Sequence, residues 1–274
     1  MGTTVEANNI NIWYEEFGDK SNETILLIMG ANANCMQWDQ EFIDRLVANN
    51  FHVVRFDNRD VGKSTWFGKE PAFNKFLKLL PNFLLKIIVN SIFGLAVDEK
   101  GKFKFNNPNP EYTLSDMAKD AAALLEVLNI KKAHIIGASM GGMITQIIAL
   151  DHPEKVLTIT PIMTSPGMQN DSLSGPTEEL LEAYKKSFVH NVRGRIEDGV
   201  VEIYRQLTGS RFPFDEQKFR DKLKPVISHG NNPFALHVDA VGASPDRTSR
   251  LNEIKVPALI IQGTEDAILP LDHG

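Results

Sequence analysis

Sulfur is nearly absent from the reactive side chains: Cys35 is the only cysteine in 274 residues. One thiol excludes an internal disulfide and any cysteine-rich metal site, and it fits a reducing compartment. Positive charge is also in short supply, since 29 Lys and Arg face 35 Asp and Glu for a net charge of -6. Phosphate backbones demand concentrated cations, so nucleic acid is not expected as the main partner. The opening MGTTVEANNI lacks a basic stretch followed by an apolar core, and therefore reads as no secretory signal, with the cytoplasm as the expected location. Gly2 is followed by Glu6 where a myristoylation motif has Ser or Thr. The sequon Asn22-Glu23-Thr24 then reads as a polar turn, and no repeat or low-complexity tract interrupts the chain.

What is present is ordinary globular material, 42% hydrophobic and 23% charged, enough for a large core. Length alone allows one large domain or a domain with a subdomain. Short β-rich runs alternate with helix-length amphipathic segments, the pattern of an α/β protein whose mostly parallel sheet is covered by helices on both faces. The strands read are 10–17, 24–30, 52–57, 133–138, 156–163 and PALIIQG at 257–263. The clearest helices are 37–49, 114–128 and 140–150, with Thr113 as N-cap of the second.

Two stretches break the alternation. The first, 68–110, contains AFNKFLKLLPNFLLKIIVNSIFGLAV, punctuated by Lys75, Lys78 and Lys86 and free of acidic residues until Asp98. Pro81 is expected to split it, and the lysines break the uninterrupted apolar length a bilayer span requires. An interfacial helix or apolar lid, with a membrane-surface contact through 72–97, competes with a buried helical hairpin packed on the main domain. The second, 164–252, reads as amphipathic helices forming a cap, which leaves 1–163 and 253–274 as the core.

The chemistry-bearing motif is Gly137-Ala138-Ser139-Met140-Gly141, set between the strand AHIIGA and a helix. A nucleophile elbow needs that context, with glycines two residues either side of the serine because the turn leaves no room for side chains. A serine hydroxyl is a weak nucleophile and calls for a base, an orienting acid and an oxyanion site.

The order of LLIMGANANCMQW, RFDNRDVGKS, GASMGG and IIQGTEDAILP resembles the α/β-hydrolase superfamily, and within it the carboxylesterases that include the aclacinomycin methylesterases. The resemblance runs from about residue 10 to the C-terminus, apart from 68–110. It implies an α/β-hydrolase fold with a helical cap, acting without cofactor or metal on small-molecule esters. Ser139 is then the nucleophile, and the backbone N–H groups of Met140 and Ala31 hold the oxyanion, with Asn32 the neighbour of the latter. Asp266 is the triad acid because Pro270 completes a D-x-x-x-P spacing; Glu265 is the alternative carboxylate. RFDNRDVGKS matches a structural D-x-R-x-x-G-x-S turn, and its Gly62-Lys63-Ser64 is no phosphate loop, since Asp57 stands where a glycine is needed.

The resemblance also implies one more helix and strand, with the catalytic histidine after them. The sequence to Gly274 holds neither, so a shortened hydrolase lacking the last helix and strand is expected, weak or inactive as an esterase. Among the seven histidines His237 is the best candidate to face the pocket, and His273 is expected to begin a helix. A non-catalytic protein that binds small molecules or lipids is the competing reading.

Overall fold

The computed structural model describes residues 2–105 and 107–274. Six strands, β1 (Thr3–Ala7), β2 (Ile10–Phe17), β3 (Thr24–Ile28), β4 (His52–Phe56), β5 (Ala133–Ala138) and β6 (Val156–Ile162), form one sheet in the order β1-β2-β4-β3-β5-β6. The β1–β2 and β2–β4 pairs are antiparallel and the others parallel. All five residues of β3 and of β4 are buried. Strands covered on both faces read as unbroken apolar runs, which is why TILLI and HVVRF show little alternation.

Helix α4 (Leu114–Val127) and α5 (Met140–Asp151) cover one face, where Met117, Ala121, Leu124, Ile144 and Ile148 pack against Leu26, Ile28, Val54 and Phe56. Helix α1 (Gln40–Ala48) covers the other, with Ile43 and Trp38 against Ile25, Leu27 and Val53. The helices thus lie on both faces of a mostly parallel sheet. Thr113 caps α4 in a reciprocal capping box with Asp116.

Three element readings change. Helix α1 begins at Gln40 and not at 37, because Asp39 caps the N–H of Glu41 while Cys35–Gln37 forms a separate 3-10 turn. Strand β1 went unread because TTVEA is short, polar and exposed at the sheet edge; Asn8 and Asn9, at φ 50° and 61°, make the turn into β2. PALIIQG does run parallel to β6, but only through isolated bridges at Ala258 and Ile261. Pro257 has no N–H to donate, and Leu259, Ile260 and Ile261 remain 59%, 51% and 44% exposed.

Pro81 divides the apolar stretch as expected, into α2 (Ala72–Leu77) and α3 (Asn82–Ala96). The hairpin is not buried against the sheet. Leu77, Leu85 and Val89 pack on Val192, Phe188 and Val189 of α6 (Glu178–Val192), and the opposite side faces water. Helices α7 (Ile196–Leu207), α8 (Glu216–His229) and α9 (His237–Gly242) follow within 164–252. Helix α8 is fastened to the strand layer where His229 Nε2 meets the buried Asp57 carboxylate at 2.6 Å.

Candidate active site

Ser139 sits between β5 and α5 at φ 54°, ψ -120°, a strained conformation for a non-glycine residue. Its N–H donates to the Ile162 carbonyl, while its own carbonyl accepts from Gly142 and Met143 N–H and from the Thr164 hydroxyl at 2.7 Å. A Cβ at Gly137 would lie 2.1 Å from the Gly141 carbonyl oxygen, and one at Gly141 would lie 2.2 Å from the Ile28 carbonyl oxygen. Only glycine fits at either position. At Gly142 an added Cβ would meet Thr164 at 2.6 Å, so Thr164 also shapes the turn. No sequence signal marked Thr164, since it follows a different strand.

The loop after β3 approaches the same serine, as a Cβ on Gly30 would stand 3.2 Å from Ser139 Cβ. Gly30 to Ala33 form a tight turn with Asn32 at φ 57°. The N–H groups of Ala31 and Met140 make no hydrogen bond among the described residues. That of Asn32 is engaged, donating to His237 Nδ1 at 2.8 Å. Met140 also opens α5, where unpaired amides and the helix dipole favour an anion.

The turn after β4 builds this floor. Asn58 Nδ2 donates to the Met29 carbonyl at 3.0 Å, and Asp57 accepts from the N–H groups of Cys35 and Lys63. Asp60 accepts from the N–H groups of Leu236, Gly68 and Phe67 and from the Tyr112 hydroxyl; these outweigh its burial and hold the carboxyl below its usual range. Burial and the Asp60 charge push the Tyr112 phenol up in return. Arg59 forms a bidentate pair with Asp120, at 2.6 and 2.7 Å, deep in the protein. Cys35, Asp57 and His229 come close enough together to resemble a metal-ligand set. Asp57 Oδ1 accepts from the Cys35 N–H, and Oδ2 from the Lys63 N–H and His229 Nε2, so hydrogen bonds tie the group together.

Asp266 lies past the bridged segment 257–263. Its Oδ1 accepts from the N–H groups of Ile268 and Leu269, both at 2.9 Å, and fixes the loop's shape. Glu265 turns away to Ser210, in the loop between α7 and α8. Tyr184 of α6 feels the Asp266 charge: burial first, then Tyr204 and Asp266, push its phenol up to about 12.

Among the described residues no histidine hydrogen-bonds to Ser139 or Asp266, and five of the seven are hydrogen-bonded elsewhere. His52 contacts Thr24 and Glu16, His134 contacts Thr158 and Glu23, His152 faces Glu154, and His190 faces Asp198. His229 holds Asp57, and His273, in the 3-10 turn Leu271–His273, contacts the Ser174 carbonyl. His237 corrects the expectation of a pocket-facing ring. It is fully buried, its Nδ1 accepts from Asn32 and its Nε2 donates to the Arg59 carbonyl at 2.7 Å. Burial pushes that imidazole down to about 4, so it is neutral.

The family model for the alpha/beta hydrolase fold matches residues 23–274, and the chain belongs to that family. It is 27% identical to rhodomycin D methylesterase DauP of Streptomyces sp. (strain C5), over 98% of this chain and 84% of that protein. DnrP, the rhodomycin D methylesterase of Streptomyces peucetius, is 27% identical over 100% of this chain and 86% of its own length. The crystal structure of the enol-lactonase from Burkholderia xenovorans LB400 superposes with a TM-score of 0.66 at 18% identity, covering 99% of this chain and 85% of that one.

Proposed function

We propose that the protein hydrolyses small carboxylic esters through an acyl-enzyme on Ser139. The observation that carries this reading is the Ser139 backbone, held at φ 54° between two glycines that tolerate no Cβ. Ser139 Oγ attacks the ester carbonyl carbon and gives its proton to a solvent water, and the oxyanion is received by the N–H groups of Ala31 and Met140. Each such donor contributes about 3 kcal/mol to transition-state stabilisation. Collapse expels the alcohol, which takes up a proton, and water then cleaves the acyl group as carboxylic acid. Asp266 is the acid member. Glu265 is set aside because Ser210 already binds its carboxylate. Segment 164–252 serves as the cap over this site, and methyl esters are favoured by the two Streptomyces relatives, which are methylesterases.

Because no histidine hydrogen-bonds to Ser139 or Asp266 among the described residues, we infer weak turnover for residues 1–274. Removing the base of a serine triad costs about a millionfold. A fluorophosphonate should label the purified chain at Ser139 and not the Ser139→Ala variant, with slow release of p-nitrophenol from short acyl esters. The absence of such a bond also favours a second reading, a small-molecule or lipid-binding protein. Retention of apolar esters without labelling or turnover would establish that one and sink the first.

A further inference from the structure

The α2–α3 hairpin presents two apolar faces, and only one is covered. Leu77, Leu85 and Val89 are fully buried against α6. On the other side Phe73, Phe76, Leu79, Phe83, Ile87 and Leu95 are 51%, 52%, 82%, 65%, 58% and 77% exposed. So many large apolar side chains left exposed on one hairpin mark an interaction site. The hairpin is a fixed platform: the Arg193 guanidinium donates to Asn82 Oδ1 at 3.0 Å, to the Lys78 carbonyl at 2.8 Å and to the Leu80 carbonyl, clamping the bend at Pro81.

Charge decides among occupants. Residues 72–97 carry Lys75, Lys78 and Lys86 and no Asp or Glu, so the negative balance of the chain lies wholly elsewhere. Lys78 pairs with Glu70, whereas Lys75 and Lys86 have no ion pair among the described residues. A second copy docked face to face through this hairpin would bring two patches of like positive charge together, which is unfavourable. Anionic lipid headgroups would complement them, with aromatic and Leu side chains entering the acyl boundary. Among the described residues no helix is long and apolar enough to cross a membrane, so the hairpin would lie on the bilayer.

We propose that the outer face of α2 and α3 is a docking surface for an anionic bilayer. This reading does not depend on ester hydrolysis, and the Ser139→Ala chain should bind as well as the parent.

The test is flotation of the purified chain with phosphatidylcholine vesicles, with and without phosphatidylglycerol. Flotation is expected with the anionic vesicles and should fall at high salt. Lys75→Glu with Lys86→Glu should weaken it by about fivefold or more per position, following the roughly 1 kcal/mol each basic residue contributes near such a surface. Leu79→Glu with Phe83→Glu should abolish it. All four positions are exposed, and unchanged circular dichroism and urea midpoints would show that both variants fold. Parent flotation that fails, or persists equally in both variants, overturns the proposal. So does sedimentation showing a parent dimer that Leu79→Glu with Phe83→Glu converts to monomer.

Discussion

His237 accepts the backbone N–H of Asn32 across 2.8 Å, joining two residues 205 positions apart. That bond engages one of two adjacent amides in the turn after β3 and leaves Ala31 as the unpaired one. The histidine therefore organises the proposed oxyanion site from below and takes no part in proton transfer.

The same burial makes stability depend on pH. The His237 imidazole titrates near 4 in the folded state, below its ordinary value of 6.5. Between those values the unfolded chain binds more protons, so its contribution is intact above pH 6.5 and is lost as pH falls toward 4. Up to about 3 kcal/mol is at stake, at roughly 1.4 kcal/mol per pH unit. Urea unfolding from pH 7 to 4 should show this decline, and His237→Gln should flatten it.

Asp120 is almost entirely buried and answers the Arg59 guanidinium. Asp120→Ala leaves that cation without its partner in the interior and should destabilise the fold by about 3–5 kcal/mol. Chemical denaturation would measure the loss. The double replacement Arg59→Met with Asp120→Leu should lose less than Asp120→Ala alone.

Gly141→Ala tests the elbow. The added carbon would press on the carbonyl oxygens of Ile28 and Met29, at 2.2 and 2.9 Å, and backbone cannot swing aside as a side chain can. The expected result is a lower urea midpoint, by about 2 kcal/mol or more in stability, and loss of fluorophosphonate labelling at Ser139.

Thr113→Ala removes the oxygen that accepts the Asp116 N–H at the start of α4. A loss of about 1 kcal/mol is expected, read as a fall in thermal midpoint without any change in labelling.

Local signals carried well. The apolar runs of β3 to β6, the Thr113 cap, the break at Pro81 and the steric need for Gly137 and Gly141 were all legible, because each depends on residues close in sequence. The failures were of two kinds. Strand β1 is a polar edge strand with no hydrophobic pattern to betray it, and PALIIQG satisfies strand propensity while pairing at only two points. The fate of His237 depended on Asn32 and Arg59, more than 170 positions away. The two apolar sides of α3 look equivalent in sequence, and only docking on α6 shows which one stays wet.

The contact between Asp57 and His229 spans 172 residues and bears on the order of folding. Contacts of such separation form late, because a long loop must close before they return any stabilisation. During synthesis Asp57 leaves the ribosome well before His229 exists. The amides of Cys35 and Lys63, nearer in sequence, can hold the carboxylate in the meantime, so the strand layer acquires a preformed receptor onto which α8 later settles.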